Sequence, residues 1–244
     1  IKMLNSELSI LMNDHISQML LFKKSKAVSI KETIAMRESG ILMHITSLPT
    51  PYGIGTMGKD AYAFVDFLVR AGQRYWQILP LTPTGYGDSP YQSLGACAGN
   101  HYLIDLDRLA DEGLLKKEEI QNIPWGSNPA RVDFGAMYAH RMNVLRQAFQ
   151  RFTPDGAYET FVEQNRSWLE DYALFTALKD TLGGKPWLEW PEALRLRKAD
   201  ALTEKRRELS DEIRLQYFVQ YEFDRQWKAL RSYANAKGVR IIGD

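Results

Sequence analysis

Two short apolar runs flank an amphipathic stretch within residues 40–81, and this pattern restricts the possible fold more than any other feature of the sequence. Residues 41–45 and 75–81 have the length and composition of buried strands. Residues 60–71 carry apolar side chains at helical spacing, and Gly72 follows where a helix would end. A strand, a helix and a second strand of this length form a right-handed unit with parallel strands, so the pattern predicts an α/β fold.

A third apolar run, residues 239–242, follows a long stretch in which helical spacing dominates. Residues 102–106 have the composition of a short strand or extended piece at the start of that stretch. Beyond it we expect helices in four segments, at residues 107–120, 137–152, 158–181 and 192–237. Alternating strands with a mostly helical insertion are typical of an α/β architecture.

Charge and cysteine content exclude several classes of function. The chain has 31 basic and 30 acidic residues, so its net charge of +1 does not favour nucleic acid or an anionic membrane as a partner. No apolar run approaches the roughly twenty residues that span a bilayer. The single cysteine, Cys97, excludes an intramolecular disulfide and favours a cytoplasmic location. No residues have the spacing of metal ligands, and we expect no metal site.

A polar and aromatic loop follows the second apolar run. Two tyrosines, a carboxylate, a hydroxyl and an amide occur within seven consecutive residues, namely Tyr86, Asp88, Ser89, Tyr91 and Gln92. Aromatic rings cover the apolar faces of a sugar while polar groups bond to its hydroxyls, so this composition favours a neutral, hydroxyl-rich ligand. The alternative is an ordinary polar turn with surface tyrosines, and the composition of the loop does not decide between the two.

The loop and its neighbouring segments resemble the amylomaltases, the 4-α-glucanotransferases of the α-amylase clan. The similar segments are the family's first barrel strand and its loop (residues 39–49 and 52–55), the second strand (74–81), the long loop after it (85–92 and 98–100), two helices (168–175 and 216–227) and the third strand (239–244). The resemblance runs from about residue 36 to the last residue and covers only the N-terminal portion of the family's sequence pattern.

The resemblance implies a partial (β/α)8 TIM barrel, about the first three strands, with a mostly helical subdomain inserted after the second strand. It divides the chain into four parts: residues 1–35 are an N-terminal extension outside the resemblance, residues 36–106 hold barrel strands one and two with the substrate loop, residues 107–207 form the inserted subdomain, and residues 208–244 hold a helix and the third barrel strand.

The activity that the resemblance implies is the transfer of α-1,4-glucan segments between maltodextrins by a retaining double displacement. Its partner is a maltodextrin or another α-1,4-glucan, and it needs no cofactor or metal. Such a reaction requires two carboxyl groups that flank the scissile bond. In the amylomaltases the nucleophilic Asp, the acid/base Glu and a third Asp follow on later strands, beyond the position of Asp244. We therefore expect no catalytic residue in this chain, which is identified as an N-terminal fragment that is inactive alone.

The resemblance also assigns roles to residues of the loop. Tyr91 would be the aromatic platform beneath the sugar ring whose bond is cut, and Ser89 and Gln92 would contact sugar hydroxyls. Tyr86 would belong to a secondary glucan-binding groove outside the active site. Asp88 has two interpretations, a hydrogen bond to the sugar or a cap on its own turn.

Phe134 would share the secondary groove with Tyr86, although its alignment with the family is loose. Two further functions remain open for the chain. The first is a non-catalytic glucan-binding remnant that uses Tyr86 and Tyr91, and the second is a half-barrel that needs a complementing partner. The sequence favours no particular oligomeric state.

Overall fold

Three short parallel strands form the sheet of the structure, a computed structural model that describes residues 37–85, 87–128 and 130–243. The strands are β1 (Gly40–Leu42), β2 (Tyr75–Gln77) and β3 (Arg240–Ile242), and β2 lies between the other two. The register places Trp76 between Ile41 and Ile241. The proposed extension at residues 1–35 lies outside the described residues.

Each strand is shorter than the apolar run that predicts it. The ladder continues past the strand ends by single bonds, from the Met43 amide to the Gln77 carbonyl (2.9 Å) and from the Ile78 amide to the Ile242 carbonyl (3.0 Å). After β1 the chain turns into a 3-10 helix at Ile45–Ser47, where Ile45 is fully buried. Ile45, the last residue of the first apolar run, is therefore apolar because it lies in the core and not because it belongs to the sheet.

Eight α-helices lie in the described part of the chain: α1 (Lys59–Arg70), α2 (Leu106–Asp111), α3 (Lys117–Gln121), α4 (Phe134–Arg151), α5 (Gly156–Thr181), α6 (Glu192–Arg195), α7 (Ala199–Glu208) and α8 (Ser210–Ala236). Further 3-10 helices occur at His101–Leu103 and Trp187–Glu189. The helices predicted between β1 and β2 and over residues 137–152 and 158–181 are confirmed, with the latter two starting two or three residues earlier.

Aspartates set the starts of the two longest helices before α8. The side chain of Asp133 accepts a bond from the Ala136 amide at 3.0 Å, ahead of α4. Asp155 accepts from the Tyr158 amide at 2.8 Å, ahead of α5. Each carboxylate satisfies one amide that has no partner within its own helix, which is why the helices begin before their apolar periodicity does.

Three predictions of secondary structure were wrong in detail. Residues 102–106 form no strand: Tyr102 and Leu103 end a 3-10 helix and Leu106 begins α2, and only Ile104 and Asp105 between them are the extended piece that was the other prediction. The helix expected over residues 107–120 is interrupted after Asp111, where Gly113 takes a positive φ of 78° that ends a helix. Residues 192–237 form three helices, and Arg197, with a φ of 53°, lies at the first break.

Helix α8 joins two apolar cores. Leu230 and Ala234 pack with Trp76 of β2 and Val65 of α1 beneath the sheet. Nearer its start, Phe218 lies in a second core that includes residues from α2, α3 and α4. The residues from Ser39 onward form one compact unit. The loop after β2 connects the sheet to the second core, and this position defines the candidate site.

Candidate functional site

The segment after β2 closes into a hairpin, which we call the loop hairpin (residues 85–92). The Gly85 amide donates to the Gln92 carbonyl at 2.8 Å, and Thr84 and Ser93 form an antiparallel bridge just below that bond. The two ends of the loop hairpin are therefore held together by backbone bonds. Tyr86 lies outside the described residues, so its predicted place in a secondary groove remains a prediction.

Two consecutive tight turns build the loop hairpin. The first is closed by the bond from the Asp88 amide to the Gly85 carbonyl (3.2 Å), and the second by the bond from the Gln92 amide to the Ser89 carbonyl (3.1 Å). Pro90 is the second residue of the later turn, a position that suits its restricted φ. Tyr91 follows it, and this tyrosine is 62% exposed. The second turn thus carries a largely exposed aromatic ring.

Asp88 connects the loop hairpin to helix α4. Its Oδ1 accepts a hydrogen bond from the Tyr138 hydroxyl at 2.8 Å, and the Gly85 carbonyl oxygen lies 3.4 Å from the same hydroxyl. Burial, and next the bond to Asp88, raises the pKa of Tyr138 to about 12, so this hydroxyl stays a donor at neutral pH. The carboxylate is therefore engaged with a side chain of another element.

The far end of the loop is anchored on α8. Buried Gln220 accepts from the Gly99 amide at 2.7 Å and donates to the Gly99 carbonyl at 3.0 Å. A Cβ at Gly99 would lie 2.0 Å from the ring of Phe223, so the backbone approaches α8 as closely as a residue without a side chain allows. The Asn100 amide donates to the Leu81 carbonyl at 2.7 Å. The loop between β2 and α2 is thus fixed at both ends.

A buried arginine supports the chain beyond the loop. Arg141 of α4 is fully buried and donates to the carbonyl of Tyr102, at 2.8 Å, and to that of Ile104. Its guanidinium carbon lies 5.8 Å from the centre of the Trp125 ring. Burial lowers the pKa of Arg141 to about 10, and burial together with the nearby Arg141 cation lowers the pKa of His101 to about 3. His101 is therefore neutral and Arg141 charged at neutral pH.

A groove lies next to the turn that follows β1. Its volume is about 510 Å³, and it is lined on one side by residues 46–54 and on the other by residues 125–132, with Ser47 and Arg131 among them. Two smaller cavities, of about 300 and 290 Å³, border residues 96–98 in the later half of the loop. None of the candidate sugar-contacting residues that the structure describes lines these three cavities.

The structure brings four of the five predicted site residues together in the loop hairpin: Asp88, Ser89, Tyr91 and Gln92. The prediction missed Tyr138, which bonds to Asp88 of the loop hairpin. It also missed Gln220 and Arg141, which bond to the backbone farther along the chain, at Gly99 and at Tyr102. Tyr138 and Arg141 lie on a helix among other polar residues, and helical periodicity does not show which of these contacts a distant loop. Gln220 is flanked by apolar and aromatic residues, and this buried setting was a usable signal that a partner exists.

The described residues contain neither a cluster of metal ligands nor a helix suited to a membrane. There, no three His, Cys, Asp or Glu side chains are grouped closely enough to hold a metal ion. None of the helices in that part of the chain combines the length and the apolar character needed to cross a bilayer.

Comparison with known proteins connects this site with one enzyme family. A family model described as 4-alpha-glucanotransferase matches residues 43–244, which include the whole loop hairpin and the helices α4 and α8 that contact the loop after β2. The chain belongs to the 4-α-glucanotransferase family. Enzymes of this family are glycosyltransferases that act on α-1,4-glucans. The resemblance to the amylomaltases is thereby confirmed.

Named 4-α-glucanotransferases share about half of their aligned residues with the chain. The enzyme of Streptococcus pneumoniae serotype 4 is 48% identical over 212 residues, and that of Thermus thermophilus is 50% identical over 214. Both alignments cover 85% of this chain and 42% of the relative. The chain therefore spans less than half the length of these 4-α-glucanotransferases.

A solved amylomaltase has a similar fold over the matched part of the chain. The amylomaltase from Streptococcus agalactiae, in complex with acarbose, superposes with a TM-score of 0.82 at 47% identity. The match covers 85% of this chain and 43% of that one. The agreement confirms the predicted α/β class at the level of a small parallel sheet surrounded by helices.

Proposed function

We propose that this chain is part of a 4-α-glucanotransferase that transfers α-1,4-glucan segments between maltodextrins, and that the loop hairpin holds a sugar ring of the glucan. One observation carries the proposal. An exposed aromatic ring, that of Tyr91, lies in a hairpin that backbone bonds close and that helix α4 contacts at Asp88, in a chain of this family. An exposed ring on a fixed support costs little conformational entropy when it binds.

The chemistry of the loop hairpin suits a neutral sugar. The Tyr91 ring offers a flat surface to the apolar face of a glucose unit, and Ser89 and Gln92 offer hydroxyl and amide groups for its hydroxyls. Asp88 is a candidate acceptor for a further hydroxyl, and Tyr86 is a candidate second aromatic surface for glucan. The net charge of +1 suits an uncharged ligand.

Binding and orientation are the contribution of this chain to the proposed reaction. A retaining double displacement needs two carboxyl groups about 5 Å apart, one as nucleophile and one as acid and base. By the resemblance to the amylomaltases, neither of these two carboxyl groups belongs to residues 1–244. A ring stacked on Tyr91 would orient the donor bond toward those groups and exclude water from one sugar face, which favours transfer to a sugar hydroxyl over hydrolysis.

The fold proposal follows the family. The three parallel strands would be the first three strands of a (β/α)8 barrel, with residues 107–207 inserted as a mostly helical subdomain and residues 208–244 leading into the third strand. The superposition on the solved amylomaltase supports this arrangement. The loop hairpin follows β2 at the carboxyl end, the end at which such barrels bind their substrates. Exposed Cys97 in the same loop suits the reducing environment of a cytoplasmic enzyme.

The proposal is tested by Tyr91→Ala in the full-length protein, with Tyr91→Phe as the matched control that keeps the ring. We expect Tyr91→Ala to lower kcat/KM for maltotriose disproportionation about tenfold or more, because a ring contact of about 1–2 kcal/mol is lost. Tyr91→Phe should stay within about threefold of the parent. Chromatography of glucose and longer maltodextrins measures the rate.

A second control is Trp187→Ala, which removes a 48%-exposed aromatic ring outside the loop hairpin and should leave kcat/KM unchanged. Equal rates for Tyr91→Ala and the parent would refute the role of the loop hairpin. Binding of maltodextrin by a full-length protein that forms no products would instead support the non-catalytic glucan-binding function.

A further inference from the structure

We propose that the two cavities beside residues 96–98 form a further glucan-binding site, which we call the aromatic trough. Residues 96–98 line both cavities, and so does Trp168 of α5. The inference rests on the proposed function in taking an α-1,4-glucan as the ligand. None of the candidate sugar-contacting residues that the structure describes lines the trough, so the loop hairpin does not account for it.

Aromatic side chains of α5 and α8 line the trough. They are Phe161, Trp168, Phe223 and Trp227 in the first cavity, and Trp168, Tyr172 and Phe175 in the second. Aromatic residues at helical spacing are usually core, but Trp168 and Trp227 are only half-buried and part of each is open to a ligand. Such rings suit the apolar faces of glucose units.

Polar groups accompany the rings. Asn165 and Asp224 line the first cavity, and their amide and carboxylate groups can bond to sugar hydroxyls. The charges of the trough are paired within the protein. Asp224 contacts Lys228 at 2.7 Å, and in the second cavity Asp171 contacts Arg197 at 2.9 Å. Rings beside neutral or paired polar groups favour an uncharged sugar over an ion.

Hydrogen bonds hold the trough in shape. The indole Nε1 of Trp168 donates to the side-chain oxygen of Asn165 at 3.0 Å, and the Asn165 amide nitrogen donates to the Phe161 carbonyl at 2.8 Å. The Trp168 ring is therefore fixed in direction. Gln220 bonds to both backbone groups of Gly99, which fixes the chain just after residues 96–98. A preformed site loses little conformational entropy when it binds.

The trough continues the loop hairpin along the chain. Leu94 and Gly95, which follow closely after Gln92, line the second cavity. The cavities of about 300 and 290 Å³ have the size of small-molecule sites. A long glucan that reaches both the loop hairpin and the trough gains affinity, because its second contact is intramolecular. Maltotriose has only three glucose units, and we expect it to depend less on the trough.

Alkylation of Cys97 in the full-length protein tests the site directly. This residue is exposed and lines both cavities, so a bound glucan should cover its thiol. We expect a saturating concentration of maltoheptaose to slow the reaction of Cys97 with iodoacetamide about threefold or more, because ligand sites enclose most of their ligand. Mass spectrometry of the peptide that contains Cys97 measures the rate. Trp168→Ala should lose this protection, and Trp187→Ala, outside the trough, should keep it.

Kinetics with a long substrate give a second measurement. We expect Trp168→Ala to raise KM for amylose roughly three- to tenfold, because a ring contact is lost, and to raise KM for maltotriose less. Trp168 also packs against the cluster of Phe161 and Leu169, so its removal could disturb the fold. Ala96→Arg is therefore the second variant. It fills the trough from an exposed position and removes no packing, and it should reproduce the preferential rise in KM for amylose.

Two results would overturn the inference. Equal alkylation rates of Cys97 with and without maltoheptaose, in a protein that disproportionates maltotriose, would show that no glucan occupies the trough. Unchanged protection in Trp168→Ala would assign the shielding to another site. Both results leave the loop hairpin intact, because Tyr91→Ala with maltotriose decides its role. Protection that depends on Trp168, beside a parent-like rate for Tyr91→Ala, would instead support the trough and refute the role of the loop hairpin.

Discussion

Among the glycines of the loop between β2 and α2, Gly99 has the least space for a side chain. Its amide and carbonyl are both bonded by Gln220, and the ring of Phe223 occupies the space in which a Cβ would lie. The two bonds require close approach of the loop backbone to α8, and a side chain on Gly99 would prevent that approach. Gly99 lies in the segment 98–100 that resembles the family, and it is therefore a packing requirement as well as part of that segment.

We expect Gly99→Ala to destabilise the fold by about 1–3 kcal/mol, because the added Cβ would lie 2.0 Å from the Phe223 ring and either the ring or the loop must move. Thermal or urea unfolding measures the change. Gly156→Ala is the matched control, since a Cβ there has no neighbour within 4 Å, and we expect no loss of stability. Equal stabilities for the two variants would contradict the close approach.

At the scale of elements, a charged pair joins the short helix α3 to the long helix α4. The two terminal nitrogens of Arg151 contact the two carboxylate oxygens of Glu119 at 2.7 and 2.6 Å, and Glu119 also accepts from the Lys116 amide at 2.9 Å. The bond from Arg151, and next the bond from the Lys116 amide, lowers the pKa of Glu119 to about 2. The same carboxylate thus caps α3 and connects it with α4.

This pair predicts a pH-dependent contribution to stability. A carboxyl group whose pKa is lower in the folded state stabilises the fold above its unfolded pKa, and the contribution is lost as the pH falls through the folded pKa. Glu119→Gln should therefore be less stable than the parent at pH 7, and the difference should shrink between pH 4.5 and about 2. Urea midpoints across this range measure it.

Glu118→Gln, at the exposed neighbouring position, is the control and should show a smaller difference at pH 7. A gap between the Glu119→Gln variant and the parent that is unchanged from pH 7 to pH 2 would show that the charge of Glu119 does not stabilise the contact of α3 with α4.

For the molecule as a whole, α8 is the element on which both cores depend. Its 27 residues run from the core beside α4 to the core beneath the sheet, and buried Gln220 and Gln226 bond to the backbone of Gly99 and Asp105 on the way. Because the same helix completes both cores and anchors the loop, we expect the two cores to unfold together.

We expect Phe218→Ala to destabilise the chain by about 3–5 kcal/mol, because a fully buried ring in the α4 core is removed. Near-UV circular dichroism, which also reports on Trp76 beneath the sheet, should show one transition at a lower denaturant concentration. Leu188→Ala, at a position that is 68% exposed, should change stability by less than about 0.5 kcal/mol. Separate transitions of the two cores would contradict the unifying role of α8.

Strand and helix types and the membership of a family could be predicted from the residues alone, because they follow from local periodicity and from long ordered motifs such as residues 85–92. Breaks inside helical stretches, as at Gly113 and Arg197, were missed because apolar spacing continues across them. The sequence also placed four polar and aromatic groups in one loop, since seven consecutive residues cannot lie far apart.

The contacts that hold that loop became visible only in the folded chain. Tyr138 meets Asp88 across 50 residues of chain, and Gln220 meets Gly99 across 121. Contacts over such separations depend on how α4 and α8 pack, and neither helical periodicity nor composition encodes which polar side chain turns toward the loop. The physical reason is that hydrophobic burial sets the rotation of each helix through all of its apolar residues together, and the position of every polar partner then follows from that packing.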